Sequence, residues 1–289
     1  MFHQCLQRHA YVSVATHGRS SALVSWSCCQ SCSQVHLYRV QADFEQRGLN
    51  KFNNPSCLLV GKIHASARSL TATPLIHGDI AINLQRNADP CSAAGCKWPK
   101  TGGYVYVPVI ISSGFSKSRI PLEHFFYEKT CIRFMWKRHW HKDFLFFYPG
   151  SGCWSHLGRL PGGQAISLQK FGCLNFGIVQ HEVLHALGFH HEQVRSDRDD
   201  HVIIHFENVK RGAPSLNGRE HNFEKEETNN LGSPYDFNSI MHYGNFAFSK
   251  NKRPTIVARG NPHLVFGLAK EMNSNDIARV NALYECGKF

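Results

Sequence analysis

Between positions 181 and 199 the chain reads HEVLHALGFHHEQVRSDRD, and no other stretch restricts its possible folds as tightly. His181 and His185 are four apart, so on a helix their imidazoles share one face about one turn apart and can aim at a single ion. Glu182 stands beside the first of them. Its carboxylate is placed to take a proton from a water on the ion, whose pKa falls from about 16 to roughly 7 on zinc, and to pass it to a leaving amine. Gly188 can adopt a left-handed backbone at little steric cost, which ends the helix and lets the chain return with His191 as a third donor. Three nitrogen donors leave positions open for water and substrate, whereas a structural zinc site is closed by four protein ligands, several of them usually cysteine.

A bare HExxH in a chain with 19 histidines is a moderate signal. The longer HExxHxxGxxH pattern followed by a methionine turn is the metzincin signature. Ser239-Ile240-Met241-His242-Tyr243 supplies that second half, in a region punctuated by glycine, asparagine and proline where a tight turn is expected.

Through HEVLHALGFHHEQVRSDRD and SIMHY together the sequence resembles the astacin family of zinc endopeptidases, over roughly residues 75–286. The resemblance implies one Zn2+ per chain on His181, His185 and His191, Glu182 as general base, and Met241 as the apolar floor beneath the metal. It implies that Tyr243 ligates the resting ion and swings away to stabilise an oxyanion, a role suited to a phenol's donor and acceptor capacity. Read without it, Tyr243 is a core aromatic. The segment LIHGDI, residues 75–80, resembles the propeptide stretch in which an aspartate, here Asp79, occupies the open metal position; family members usually carry an aromatic where Ile76 stands. Arg86-Asn87 looks like the maturation boundary for a trypsin-like protease. By resemblance the new terminus at Asn87 reaches Glu192, the glutamate after the third histidine; the plain alternative is a salt bridge from Glu192 to Arg195 or Arg198.

Eleven cysteines divide unevenly. The resemblance pairs Cys131 with Cys286 and Cys153 with Cys173, and Cys91 with Cys96 forms a third, local pair similar to that of the six-cysteine, hatching-enzyme-like astacins of fish. This implies an oxidising compartment and secretion. Cys5, Cys28, Cys29, Cys32 and Cys57 lie in residues 1–70, which have no sustained apolar periodicity, no repeat and no recognisable signal peptide. That stretch is left unassigned and is read as an artefactual start, as from a mis-joined exon, in preference to a cysteine-containing extra module, for which Cys28, Cys29 and Cys32 lack a second cluster at zinc-ribbon spacing. Residues 71–86 read as the end of a propeptide and residues 87–289 as the peptidase domain.

The formal net charge of +11 is shared between the two sides of Arg86. The basic, aromatic stretch at residues 137–142 reads as a solvated loop or strand edge rather than a nucleic-acid surface. No apolar run reaches the ~18 residues of a membrane span.

Alternating or apolar runs predict strands at residues 104–111, 130–134, 144–148 and 165–168, and helices beginning at Pro121 and spanning 178–187 and 275–284. The expected class is α+β. The resemblance implies a two-lobed metzincin fold: an upper lobe of mixed twisted sheet with two helices including the zinc helix, and a mostly irregular lower lobe with a C-terminal helix. It also implies that the edge strand at residues 153–156 pairs with extended substrate, a general mode of peptide recognition. The expected partners are protein or peptide substrates, egg-envelope or extracellular-matrix proteins among them. The competing classes are a catalytically silent binding module, which an intact Glu182 argues against, and a structural zinc protein, which needs a fourth protein ligand.

Overall fold

The computed structural model describes residues 73–82, 96–115, 123–211 and 220–287, without the side chains of residues 123–125. Residues 1–70, Arg86, Asn87 and Cys91 lie outside the described residues.

Ten strands and three α-helices are found among them. In chain order they are β1 (Leu75–Ile76), β2 (Ile80–Ala81), β3 (Lys100–Thr101), β4 (Tyr104–Ile111), α1 (Glu123–Lys129), β5 (Ile132–Trp136), β6 (Phe144–Tyr148), β7 (Cys153–His156), β8 (Gly163–Leu168), α2 (Phe176–Leu187), β9 (Val202–Ile204), β10 (Ile256–Ala258) and α3 (Ser274–Leu283). The upper lobe is a mixed sheet in the order β1-β2-β7-β8-β6-β4-β3, with β5 also paired to β4. Strands β4, β5, β6 and β8 are paired in parallel, whereas β7 runs antiparallel to β8.

The parallel strands carry the apolar runs expected of sheet covered by helices. Val105 and Val107 on β4, Leu145 and Phe147 on β6, and Ile166 and Leu168 on β8 are fully buried. Helix α2 packs on β7 and β8, and α1 on β5. Val179, Val183, Leu184, Ala186 and Leu187 deliver one face of α2 to this core.

The lower lobe has a second, smaller core of Val202, Val209, Phe223, Ile256, Ala258 and Phe266. Strands β9 and β10 form an antiparallel pair there. This pair was not expected from the sequence, because three-residue strands about fifty positions apart carry no local signal.

Several expected boundaries move, the strand at 165–168 for instance beginning at Gly163, and two of the shifts have a visible local cause. The strand at 130–134 begins instead at Ile132, since Thr130 closes α1: its Oγ1 donates to Phe126 O at 2.6 Å and accepts from Ile132 N at 3.1 Å. Helix α2 starts two residues early, at Phe176, because the Asn175 side chain caps it by accepting from Ile178 N at 2.9 Å. Two disulfides match the expected pairs: Cys131–Cys286 ties the start of β5 to the turn after α3, and Cys153–Cys173 links β7 to the loop before α2. Cys96 is disulfide-bonded as well. No helix among the described residues is long and apolar enough to cross a membrane.

Candidate metal centre

Helix α2 holds the first two histidines by its own periodicity and the third by how it stops. Gly188 takes the left-handed conformation, φ 111°, and its N–H returns to the helix's last carbonyls. Two further end carbonyls, which a helix cannot satisfy internally, are met from outside: Trp98 Nε1 donates to Ala186 O at 2.9 Å and Tyr284 Oη to Leu187 O at 2.9 Å. The end of α2 is thus fixed from both ends of the domain.

Beyond Gly188 the chain brings the His191 imidazole back to the other two. His185 Nε2 lies 3.1 Å and His191 Nε2 3.3 Å from His181 Nε2. Asp79, more than 100 residues away in sequence, completes the cluster. Its Oδ2 is 3.1 Å from His181 Nε2, and its Oδ1 is 3.4 Å from His185 Nε2 and 3.1 Å from His191 Nε2. Four donors bound at about 2.0–2.1 Å in a tetrahedron stand roughly 3.3 Å apart. Three imidazoles and a carboxylate at this separation fit zinc without rearrangement.

The outer shell supports that donor set. His181 Nδ1 donates to Ile240 O at 2.9 Å and His185 Nδ1 to Phe189 O at 2.7 Å, because a carbonyl only accepts. Each bond leaves the Nε2 lone pair facing the cluster. Burial lowers the pKa of His185 and draws His191 down to about 3, which keeps both rings neutral, as ligands need to be. Burial works against charge on Asp79, but its contacts with His191, His181 and His185 outweigh that and hold the carboxyl well below the usual range.

Glu182 points its carboxyl into the same space and is 1% exposed. Its Oε2 is buried without a hydrogen-bond partner among the described residues. Burial first, and the Asp79 charge second, push its pKa well up. A carboxyl so poised holds a proton readily.

Met241 is buried in the same core as Val183 and Leu184, on a turn fastened from α3. Ser239 Oγ donates to Asp276 Oδ1 at 2.6 Å, and Ile240 N to Asp276 Oδ2 at 3.1 Å. Asp276 also closes the capping box of α3 with Asn273. Sequence reasoning missed this double duty, although the N-x-x-D spacing before an amphipathic run is a legible cap signal. Tyr243 N donates to Gln193 Oε1 at 3.1 Å, the Tyr243 ring lies 4.5 Å from that of His191, and its hydroxyl donates to His77 O.

Glu192 is 3% exposed and its carboxylate accepts four hydrogen bonds, three on Oε1 and one on Oε2. Arg279 binds it through two nitrogens at 2.5 and 2.8 Å, Arg195 reaches it at 3.1 Å, and Asp236 N donates to it at 2.8 Å. Arg195 was weighed as a partner from the sequence and Arg279 was not. Arg198 bonds the Gln193 and Phe223 carbonyls instead.

The edge of the sheet is covered. Strand β2 lies parallel to β7, with Ile80 opposite Ser155 and Ala81 opposite His156, and Ser155 N donates to Asp79 O at 3.0 Å. Beside it a cleft of about 890 Å³ is lined by Asp79, His181, Glu182, Tyr243, Phe248 and Lys270 among others. Gly177 lets its far wall approach: a Cβ there would meet Lys270 O at 2.5 Å.

The family model for the Astacin peptidases matches residues 104–285. The chain is 42% identical over 220 residues to the Low choriolytic enzyme of Oryzias latipes, covering 73% of this chain and 78% of that one. It is 42% identical over 218 residues to the High choriolytic enzyme 1 of the same fish, again covering 73% and 78%. A solved structure of that second protein, described as a hatching enzyme zinc-protease, superposes with a TM-score of 0.63, covering 70% of this chain and 100% of that one. Site geometry, sequence and fold therefore agree that the chain belongs to the astacin family and is a zinc metalloendopeptidase.

Proposed function

We propose that the chain is a secreted endopeptidase in its latent form, in which His181, His185 and His191 hold one zinc ion, Glu182 is the general base and Asp79 blocks the open metal position. The observation that carries this reading is the convergence of three imidazole nitrogens on the Asp79 carboxylate, each within 3.4 Å of one of its oxygens. The ion, when bound, supplies Lewis acidity that polarises water and the scissile carbonyl.

The residues of the chain do the rest. The Asp79 segment excludes water and substrate from the cluster, and β2 occupies the backbone of β7 that extended substrate would use. A trypsin-like cut after Arg86 separates residues 71–86 from a peptidase domain at 87–289. Once Asp79 leaves, Glu182 loses a neighbouring negative charge, accepts a proton from water and delivers it to the leaving amine. Tyr243, released from His77 O, turns its hydroxyl to the developing oxyanion. Met241 supports the cluster from the core. Glu192 receives the new amino terminus at Asn87, sharing its carboxylate with Arg279 and Arg195.

Protein substrates follow from the family. The relatives' names, choriolytic and hatching enzymes, support an egg-envelope protein as the substrate, with extracellular-matrix protein the alternative. The disulfides and these relatives support secretion.

The test is hydrolysis of a quenched peptide by the full chain before and after limited trypsin treatment, beside Glu182→Ala. Activity should appear on cutting and fall by about 10²–10⁴-fold or more in Glu182→Ala, which should still bind zinc. Cut, folded, zinc-loaded protein that hydrolyses nothing would establish the silent-module reading instead.

A further inference from the structure

A second group of metal-ligating side chains stands apart from the three histidines. His77, His190 and Glu226 each bring one donor atom within 4.8 Å of the other two. His77 Nε2 and Glu226 Oε1 are already 2.7 Å apart, and the His77 and His190 rings meet edge to face with centroids 6.2 Å apart. His77 is 2% exposed. The Nδ1 atoms of both His77 and His190 are buried without a hydrogen-bond partner among the described residues. A buried nitrogen without a partner is costly, and the one on His190 calls for an acceptor of its lone pair, while His77 offers the cluster Nε2, the atom that already faces Glu226.

The backbone around the cluster is held in place. His77 takes a left-handed conformation, φ 47°, uncommon outside glycine. Tyr243 grips its carbonyl. Glu226 N donates to Val194 O at 2.7 Å, which anchors that strand of chain to the turn after His191. The Glu226 side chain is about one-third exposed and gives an ion a route in.

From this geometry we infer that His77, His190 and Glu226 form a second divalent-metal site of the zinc class, which clamps the Asp79 segment onto the catalytic domain. Two imidazoles and a carboxylate are a donor set for zinc or a neighbouring late transition ion, with the remaining position left to water. Insertion of the ion widens the 2.7 Å pair by roughly half an ångström, toward tetrahedral spacing. One short segment then supplies a ligand to each cluster, Asp79 to the first and His77 to the second, and one stretch of the domain answers with His191 and His190. The clamping role rests on the latent reading of Asp79; the site itself does not.

The experiment counts zinc on the full chain. Protein stripped with chelator is dialysed against a small excess of zinc and its bound metal measured per chain, for wild type, His77→Gln and Glu226→Gln. Each variant should lose about one equivalent relative to wild type while keeping its near-ultraviolet circular dichroism. Either folded variant retaining the wild-type count overturns the site. Glu226→Gln, on a partly exposed side chain, remains informative if His77→Gln does not fold. For the clamp, amide exchange across residues 75–81 should be about tenfold faster in zinc-loaded Glu226→Gln than in zinc-loaded wild type, and equal rates would overturn it. Asp79→Ala as inactive as wild type would remove the latent reading while leaving the zinc count to decide the site.

Discussion

The two lobes reach stability by different means. The upper lobe stacks two helices on a largely parallel sheet and buries long apolar side chains between them, so regular hydrogen-bond ladders satisfy its backbone. The lower lobe has a core of six buried apolar residues and little regular structure, and several of its carbonyls are satisfied by side chains. Arg198 donates to the Gln193 and Phe223 carbonyls at 2.9 and 2.7 Å. Asn245 holds Ile256 O and Leu264 O, and Asn208 holds Pro254 O. The lesson is that irregular chain can be as well determined as sheet, provided buried polar side chains replace the missing ladders. The metal donors span both regimes, with His181 and His185 on α2 and His191 just past it.

The largest expected effect tests how firmly the turn after α3 is tied to the upper lobe. Cys131–Cys286 closes a loop of 155 residues and Cys153–Cys173 one of 20. Chain-entropy reasoning gives about 5 and about 3 kcal/mol for their paired removal to alanine. Urea unfolding of the two double variants should rank them in that order, and equal losses would show that local strain or residual structure dominates.

Next in size are core truncations, one in each lobe. Phe147→Ala and Phe223→Ala should each cost about 3–5 kcal/mol. Phe147→Ala should lower protection from amide exchange throughout the upper sheet. Phe223→Ala should open the smaller lower core alone, and a uniform loss across both lobes would break the distinction.

Arg279→Ala follows, with a cost of about 3 kcal/mol, since it leaves Glu192 buried with Arg195 as its remaining cationic partner. A thermal scan showing no change would mean that Arg195 alone satisfies the carboxylate.

The smallest effect is the pH response. Burial draws His242 down to about 4. In the unfolded chain it protonates near pH 6.5, so between these values the unfolded state binds more protons. Its contribution is therefore fully present above about pH 6.5 and is lost as pH falls toward 4, by about 2 kcal/mol or less at pH 5. His242→Gln, which removes this buried imidazole, should flatten the fall in urea midpoint between pH 7 and pH 5. An unaltered slope would remove His242 from this account.

The metal helix was legible because its information is local. Four-residue spacing and a left-handed glycine act within one or two turns, and the body and end of α2 follow from them, whereas the Asn175 cap that sets its start was not read. The β9–β10 pair, the Arg279–Glu192 bond and the walls of the cleft were not legible, since each joins residues tens of positions apart with no repeating signal at either end.

The residue pattern alone determined the donor types, their spacing on one helix face, the carboxylate beside them and the methionine turn that follows. The family resemblance built on that pattern pointed to Asp79. Only the tertiary structure decided that the Asp79 carboxylate lies among the three imidazoles, that β2 covers β7, and that His77 meets Glu226 across 149 positions. The physical reason is that backbone geometry sets relations within a turn or two, whereas the approach of distant segments depends on how the whole core packs.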